Sequence, residues 1–210
     1  QGRELWVVAS AIEPGQRPGE RAGGVICFTP GTMIATEDGP RPVESLGEGA
    51  RVQTKDNGCQ PVLWIGRRRL TGARLVAMPW LAPVRLREHA LDEGVPDAGL
   101  LVSPDHRVLL RGRRAEALFG ESEVLVAACD LVDDHLVTRE RLVRHVEYIH
   151  LLLPSHQIVF ANGVETESFH PASAEMDHLG EESIERLQAE MPQADDYGPF
   201  ARRVLSASEA

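Results

Sequence analysis

The chain has 210 residues, 42% of them hydrophobic and 26% charged, with a formal net charge of -10. That mixture suits one sizeable core, with or without an appendage. The acidic balance excludes an extended phosphate-binding face, which needs clustered Lys and Arg in excess of the local acids. No run approaches the roughly 18 apolar residues of a helical membrane span, and the start of the chain lacks the regions of a signal peptide. Position 1 is Gln rather than Met, which reads as a fragment of a longer protein.

Residues 1–26 open on the alternation Leu5-Trp6-Val7-Val8-Ala9 and continue through Pro14, Gly15, Pro18, Gly19 and Gly23-Gly24. This pattern predicts an added strand followed by a flexible linker, a leader preceding Cys27. In Cys27-Phe28-Thr29-Pro30-Gly31-Thr32 a thiol enters on an extended segment. The chain then reverses, because proline presets φ at one turn position and glycine accepts φ > 0 at the next. The peptide bond between Ile26 and Cys27 lies within reach of the cysteine's own sulfur, so a self-directed reaction is geometrically possible.

From Cys27 to about Phe169 the texture is β. Candidate strands fall at 32–36, 50–55, 61–70, 84–86, 100–102, 106–110, 124–127, 143–152 and 157–161, each rich in Val, Ile, Leu or Thr and bounded by turn residues. Asp56-Asn57-Gly58 predicts a hairpin with a type I′ turn, and 116–119 predicts no more than one helical turn. Arg67-Arg68-Arg69 and Arg111-Gly112-Arg113-Arg114 read as hairpin ends or solvated edge strands rather than phosphate grips. Beyond Pro171, helical spacing places Ile184, Leu187 and Met191 on one face, and 197–207 gives a second short amphipathic stretch. The expected fold is all-β with a short helical C-terminal tail.

Cys27, Cys59 and Cys129 are an odd count at wide spacings, which fits neither a disulfide framework nor a Cys-x-x-Cys metal site. At least one thiol is free, and Cys59 and Cys129 read as structural. Ser103-Pro104-Asp105-His106 holds a hydroxyl and an imidazole three apart at a turn between two strands. There Ser103 can hold a carbonyl or orient the ring, and His106 can deliver a proton to a departing amide nitrogen. The alternative is a local turn hydrogen bond and the first residue of a strand. In the stretch 148–164, His150 sits in an apolar run and reads as a core histidine, whereas His156 follows a turn and is the better catalytic candidate. No short ligand spacing supports a metal site from His150, His156 and Asp105 or His106, and no cofactor is expected.

Three ordered blocks carry a resemblance to a known family. Cys27-Phe28-Thr29-Pro30-Gly31-Thr32-Met33-Ile34-Ala35-Thr36, with Gly39, Val43-Glu44-Ser45-Leu46 and residues 49–52, resembles the opening block of Hint domains, the module shared by hedgehog autoprocessing regions and inteins. Ser103-Pro104-Asp105-His106 resembles their Thr-x-x-His block. His156-Gln157-Ile158-Val159-Phe160-Ala161-Asn162-Gly163 resembles the closing block. Trp64-Ile65-Gly66-Arg67-Arg68 and Glu167-Ser168-Phe169-His170-Pro171 further resemble a bacterial Hint subfamily, whose C-terminal extension Tyr197-Gly198-Pro199 and 201–205 resemble.

The resemblance implies a β horseshoe of two pseudo-twofold subdomains over residues 27–171, with 172–210 as a helical extension. It also implies that Cys27 attacks the carbonyl of Ile26 in an N-to-S acyl shift. Cys27, Ser103, His106 and His156 would form the site, acting on the chain's own N-terminal flank, with water or a small nucleophile resolving the thioester. Ser103 in place of Thr keeps the hydroxyl and loses the methyl that fixes its rotamer. Aligned on Asn162-Gly163, the terminal His-Asn of splicing inteins falls on Glu167-Ser168, so no splicing is expected. The assisting Asp of some inteins falls on Ile149, beside His150. A silent scaffold module of a larger bacterial protein, secreted or at the cell surface, is the alternative expectation, and a cysteine peptidase acting in trans is a third.

Overall fold

A computed structural model of the chain describes residues 26–173, 187, 197–206 and 208–210. The strand and linker expected before Cys27 lie outside the described residues, as does the helix expected over 181–191 apart from Leu187, which is helical and buried.

The elements run β1 (Met33–Thr36), β2 (Gly39–Pro42), β3 (Arg51–Thr54), β4 (Gly58–Pro61), β5 (Trp64–Thr71), α1 (Gly72–Ala77), β6 (Val84–Leu86), β7 (Leu100–Val102) and β8 (Arg107–Arg111). Then come α2 (Arg113–Phe119), β9 (Glu123–Ala127), β10 (Val137–Arg139), β11 (His145–Leu152), β12 (Ile158–Ala161), β13 (Val164–Glu167) and β14 (Arg203–Val204). A nine-stranded sheet has the order β14-β9-β8-β13-β12-β1-β3-β4, with β2 added to β1. Two smaller ladders, β10-β6-β7 and β11-β5, complete the β framework. Pairing is antiparallel except where β14 runs parallel to β9.

β1, β3, β5, β6 and β7 show the period-two burial of a sheet with one face on the core. In β3, Val52 and Thr54 are buried while Arg51 and Gln53 are exposed. β11 departs from this: every residue from Tyr148 to Leu153 is buried, because both faces of that strand are covered. Ile149 and Leu151 join the main core with Phe28, Ile34, Val52 and Val102. Their even-numbered neighbours Tyr148, His150 and Leu152 face the other way. Burying side chains such as Phe28 and Ile149 stabilises the fold by roughly 2 kcal/mol each.

Three expectations need correction. The hairpin at Asn57-Gly58 is not a two-residue type I′ turn: Thr54 pairs with Gly58, the loop has three residues, and only Gly58 takes a positive φ, of +61°. The I′ geometry belongs to Asn162-Gly163, with φ values of +46° and +75°, which joins β12 to β13. Residues 113–119 form a helix of seven residues, ended by Gly120 in the left-handed region, rather than a single turn. Finally, within the second amphipathic stretch Arg203–Val204 form a strand: β14 lies on the edge of β9, and Leu205 packs with Ala115, Val124 and Val126.

Candidate active site

Cys27 is set in place by Phe28. The Phe28 N–H donates to the Ile149 carbonyl and its carbonyl accepts from the Ile149 N–H, both at 2.9 Å, and a further bridge joins it to Val102. This one residue stitches β11 to β7. Its ring enters the main core, so by alternation Cys27 points to the opposite face, among Leu70, Leu75, Val146 and Tyr148. The reversal after it is the expected one, with Gly31 at φ +89° and the Thr32 N–H donating to the Thr29 carbonyl at 3.2 Å.

The turn that follows β7 delivers Ser103 and His106 to the same place. It closes through the His106 N–H on the Ser103 carbonyl at 3.1 Å, and the Ser103 N–H donates to the Cys27 carbonyl at 3.0 Å. The Cys27 N–H donates to Ser103 Oγ at 2.9 Å. Burial pushes the Cys27 thiol well above its ordinary range, against the opposing pull of a hydrogen bond from Ser103 and the charge of Arg68. At neutral pH the sulfur is therefore a thiol, and one hydroxyl contacts both its sulfur and its nitrogen.

His106 is fully buried, edge-on to Phe28 with ring centroids 4.6 Å apart. Its tautomer follows from its neighbours. Thr166 Oγ1 donates its only proton to the Arg107 carbonyl at 2.7 Å, so it accepts from His106 Nε2–H. Nδ1 then carries a lone pair, buried and without a hydrogen bond of good geometry, on a ring whose protonated form the nearby Cys27 backbone favours. Burial outweighs that, with the charges of Arg107 and His150 adding to it, and lowers the ring to about 3. His106 is thus a neutral imidazole whose bare nitrogen is available to a proton.

His150 approaches from β11, on the face that carries Tyr148. Its Nδ1 is 2.8 Å from the Ile26 carbonyl oxygen, and both of its nitrogens are 3.6 Å from Cys27 Sγ. Burial lowers this ring to about 4. Opposite it in the ladder is Gly66, where a Cβ would stand 2.2 Å from the Trp64 indole. Gly66 lets that indole fold back over β5 and lie nearly parallel to the His150 ring, centroids 6.1 Å apart, while Phe169 meets the ring edge-on at 5.2 Å. Cys27, Arg68, Ser103, Asp105, Tyr148 and His150 border a cavity of about 20 Å³, room for one water. Arg68 reaches it from the inward face of β5, so this member of the arginine cluster is part of the site and not merely a solvated edge.

The structure does not bring His156 to Cys27. His156 Nε2 is 3.1 Å from Glu167 Oε2, and its Nδ1 accepts from the Ala201 N–H at 2.9 Å. Glu167 in turn accepts from the Arg107 N–H at 2.9 Å and from Arg107 Nη1 at 3.0 Å. The ring also packs against His170 and Phe200. These bonds tie the C-terminal segment to β8 and β13. Among the described residues no three His, Cys, Asp or Glu side chains gather as metal ligands.

A family model described as the Hint domain matches residues 26–173. The chain belongs to the Hint-domain family. Solved structures similar to it include a bacterial intein-like domain from Clostridium thermocellum, 14% identical over 69% of this chain and 98% of that one, with a TM-score of 0.42. A splice-inactive variant of the AceL NrdHF class 3 split intein is 14% identical over 68% and 97%, at 0.45, and the gp41-1 intein 12% identical over 69% and 98%, at 0.39. A comparison with curated proteins finds no match.

In this Hint domain, the residue that sequence reasoning undervalued is His150. Its apolar neighbours suggested a core position, and it is indeed fully buried, yet it contacts the Ile26 carbonyl oxygen and the Cys27 sulfur at once. The available signal was its place beside Ile149, where the assisting Asp of some inteins falls.

Proposed function

We propose that this Hint domain severs the bond between Ile26 and Cys27 by an N-to-S acyl shift, and that water or a small nucleophile then resolves the thioester. One observation carries the reading: the atoms that must react are gathered in one buried place, the nitrogen of Cys27 bonded to Ser103, the oxygen of Ile26 to His150, and the sulfur of Cys27 3.6 Å from both His150 ring nitrogens. Cys27 Sγ adds to the Ile26 carbonyl carbon, whose π electrons move onto oxygen. The thiol proton crosses to the Cys27 nitrogen through Ser103 Oγ, which is bonded to that nitrogen, with His106, near the Cys27 backbone, as a further relay. As the oxygen's electrons return, the C–N bond breaks, its pair stays on nitrogen, and that nitrogen keeps the proton. The products are a thioester and a free amine, with no atom gained or lost.

Burial of the thiol means that its deprotonation accompanies attack instead of preceding it. Room for about one water beside Cys27 favours hydrolysis over a bulky acceptor. Water adds to the thioester carbon, the C–S bond breaks, and one water proton restores the thiol. No splicing follows, because Glu167 and Ser168 stand where an intein carries His-Asn and offer no asparagine to cyclise.

The test is an intact-mass time course of the full chain with and without dithiothreitol or hydroxylamine. Thiol-dependent loss of residues 1–26 that disappears in Cys27→Ala supports the reading. An unchanged mass under every nucleophile supports a silent scaffold module instead, the reading that the depth of the thiol favours.

A further inference from the structure

We propose that His150 is a catalytic residue: its Nδ1–H binds the oxygen of Ile26 and stabilises the oxyanion that forms when Cys27 attacks. The inference rests on the acyl shift proposed above and assigns a role that Cys27, Ser103 and His106 leave unfilled. A carbonyl oxygen only accepts, so the 2.8 Å contact requires the proton on Nδ1. The ring has no access to solvent, and its depressed pKa is consistent with a neutral donor, Nδ1–H with Nε2 bare.

The sulfur's position separates this role from that of a base. Sγ is 3.6 Å from both ring nitrogens. In the plane of the ring, that equal spacing would drive it into Cε1 on one side or into the Cγ–Cδ2 bond on the other. The sulfur therefore lies over the ring face, while each nitrogen's lone pair or N–H points along the plane. The Nδ1–H is aimed at the oxygen, and the bare Nε2 is not aimed at the thiol.

The ring is also held against rotation. Trp64 lies nearly parallel to it and Phe169 meets it edge-on. The Phe169 N–H is bonded to the Leu151 carbonyl at 2.9 Å, so the aromatic wall belongs to the same strand framework as His150. A donor fixed before reaction, on a ring that is itself fully buried, needs no reorganisation as charge develops on the oxygen. In the addition step the new C–S bond forms, the carbonyl π pair moves to oxygen, and the Nδ1–H bond to that oxygen shortens without proton transfer. On collapse the pair returns and the C–N bond breaks.

Rates of hydroxylamine-dependent cleavage of full-length His150→Asn and His150→Leu test it. Asparagine can place an amide N–H near the Nδ1 position but has no basic nitrogen, whereas leucine has neither. The expected result is a loss of about 10² to 10³-fold for His150→Leu, with His150→Asn recovering most of the rate at unchanged pH dependence. If His150→Asn is as slow as His150→Leu, or if both cleave at the normal rate, the inference is overturned. A readout independent of folding and of activity is the imidazole 15N signal of His150 in uncleaved Cys27→Ala: Nδ1 protonated and Nε2 bare supports it, and the opposite tautomer overturns it. Absence of cleavage in the unsubstituted chain overturns the acyl shift itself and with it the role of His150, a result distinct from selective failure of the two variants.

Discussion

Two pairs of buried histidines, differently employed, divide this molecule. Around Cys27, His106 keeps one nitrogen bare and His150 spends its Nδ1 on the Ile26 carbonyl. In the closing region every ring nitrogen of His156 and His170 is committed to the fold: His156 to Glu167 and the Ala201 N–H, His170 to the Gly198 carbonyl and the Ala172 N–H. Burial is common to both pairs, so burial does not mark function. What separates them is whether the partners belong to the scaffold or to the junction of Ile26 and Cys27.

The contrast breaks most sharply by exchanging glutamine for one histidine of each pair. His106→Gln removes the bare nitrogen beside Cys27 and is expected to slow cleavage by about 10² to 10⁴-fold, the ordinary contribution of a positioned proton carrier. His156→Gln is expected to leave the rate per folded molecule within about threefold and to lower stability by about 1–3 kcal/mol, because Glu167 and the Ala201 N–H lose a partner. Cleavage rates normalised to folded protein, beside chemical denaturation, check both. Equal rate losses in the two variants would erase the distinction.

Acid sharpens the same comparison. In the unfolded chain an imidazole takes up its proton near pH 6.5, but in the folded chain burial delays this to about 4 for His150 and about 3 for His106. As pH falls through 6.5 the unfolded state therefore binds more protons, and stability falls as pH drops toward 4; well above pH 6.5 both states are deprotonated and these two rings contribute no slope. Each ring is expected to cost roughly 2 kcal/mol by pH 5. Denaturation of Cys27→Ala at pH 7.5 and pH 5 measures the total, and His150→Asn should remove about half of the part due to these two rings. A chain equally stable at both values contradicts the burial of neutral imidazoles.

The smallest expected effect is at Gly66. Gly66→Ala puts a methyl into the Trp64 indole, which is buried and is itself packed against His150 and Phe169. The expected cost is about 1–3 kcal/mol of stability, with a modest slowing as the wall behind His150 shifts. Thermal unfolding and Trp fluorescence check this.

Nine strands of the framework were legible in the sequence because each is rich in β-formers and punctuated by turns. β6 and β7 fall at the expected residues and β1, β3, β5, β8, β9, β11 and β12 within three positions, whereas β4, β10 and β13 are too short or too polar to have been marked as strands. β2 was illegible because Gly39, Pro40 and Pro42 argue against a strand; it survives by pairing only with β1, at an edge. β14 was hidden by helical spacing that its parallel pairing with β9 overrides. At the candidate site, Cys27, Ser103 and His106, which the fold brings together, stood out in the sequence through local turn chemistry and ordered blocks. His150 was not, because β11 is covered on both faces and its unbroken apolar run conceals which residues look toward Cys27. The histidine following a turn looked exposed and available, yet His156 is sealed beneath Phe200 and the segment after it.

The most direct measurement is the identity of the group left on Ile26 after hydroxylamine treatment of the unsubstituted chain. Peptide mass spectrometry should find residues 1–26 released with a hydroxamate at Ile26, and the remainder beginning at Cys27 with a free amine. Release at any other bond, or the same hydroxamate from Cys27→Ala, would contradict a thioester formed by that sulfur.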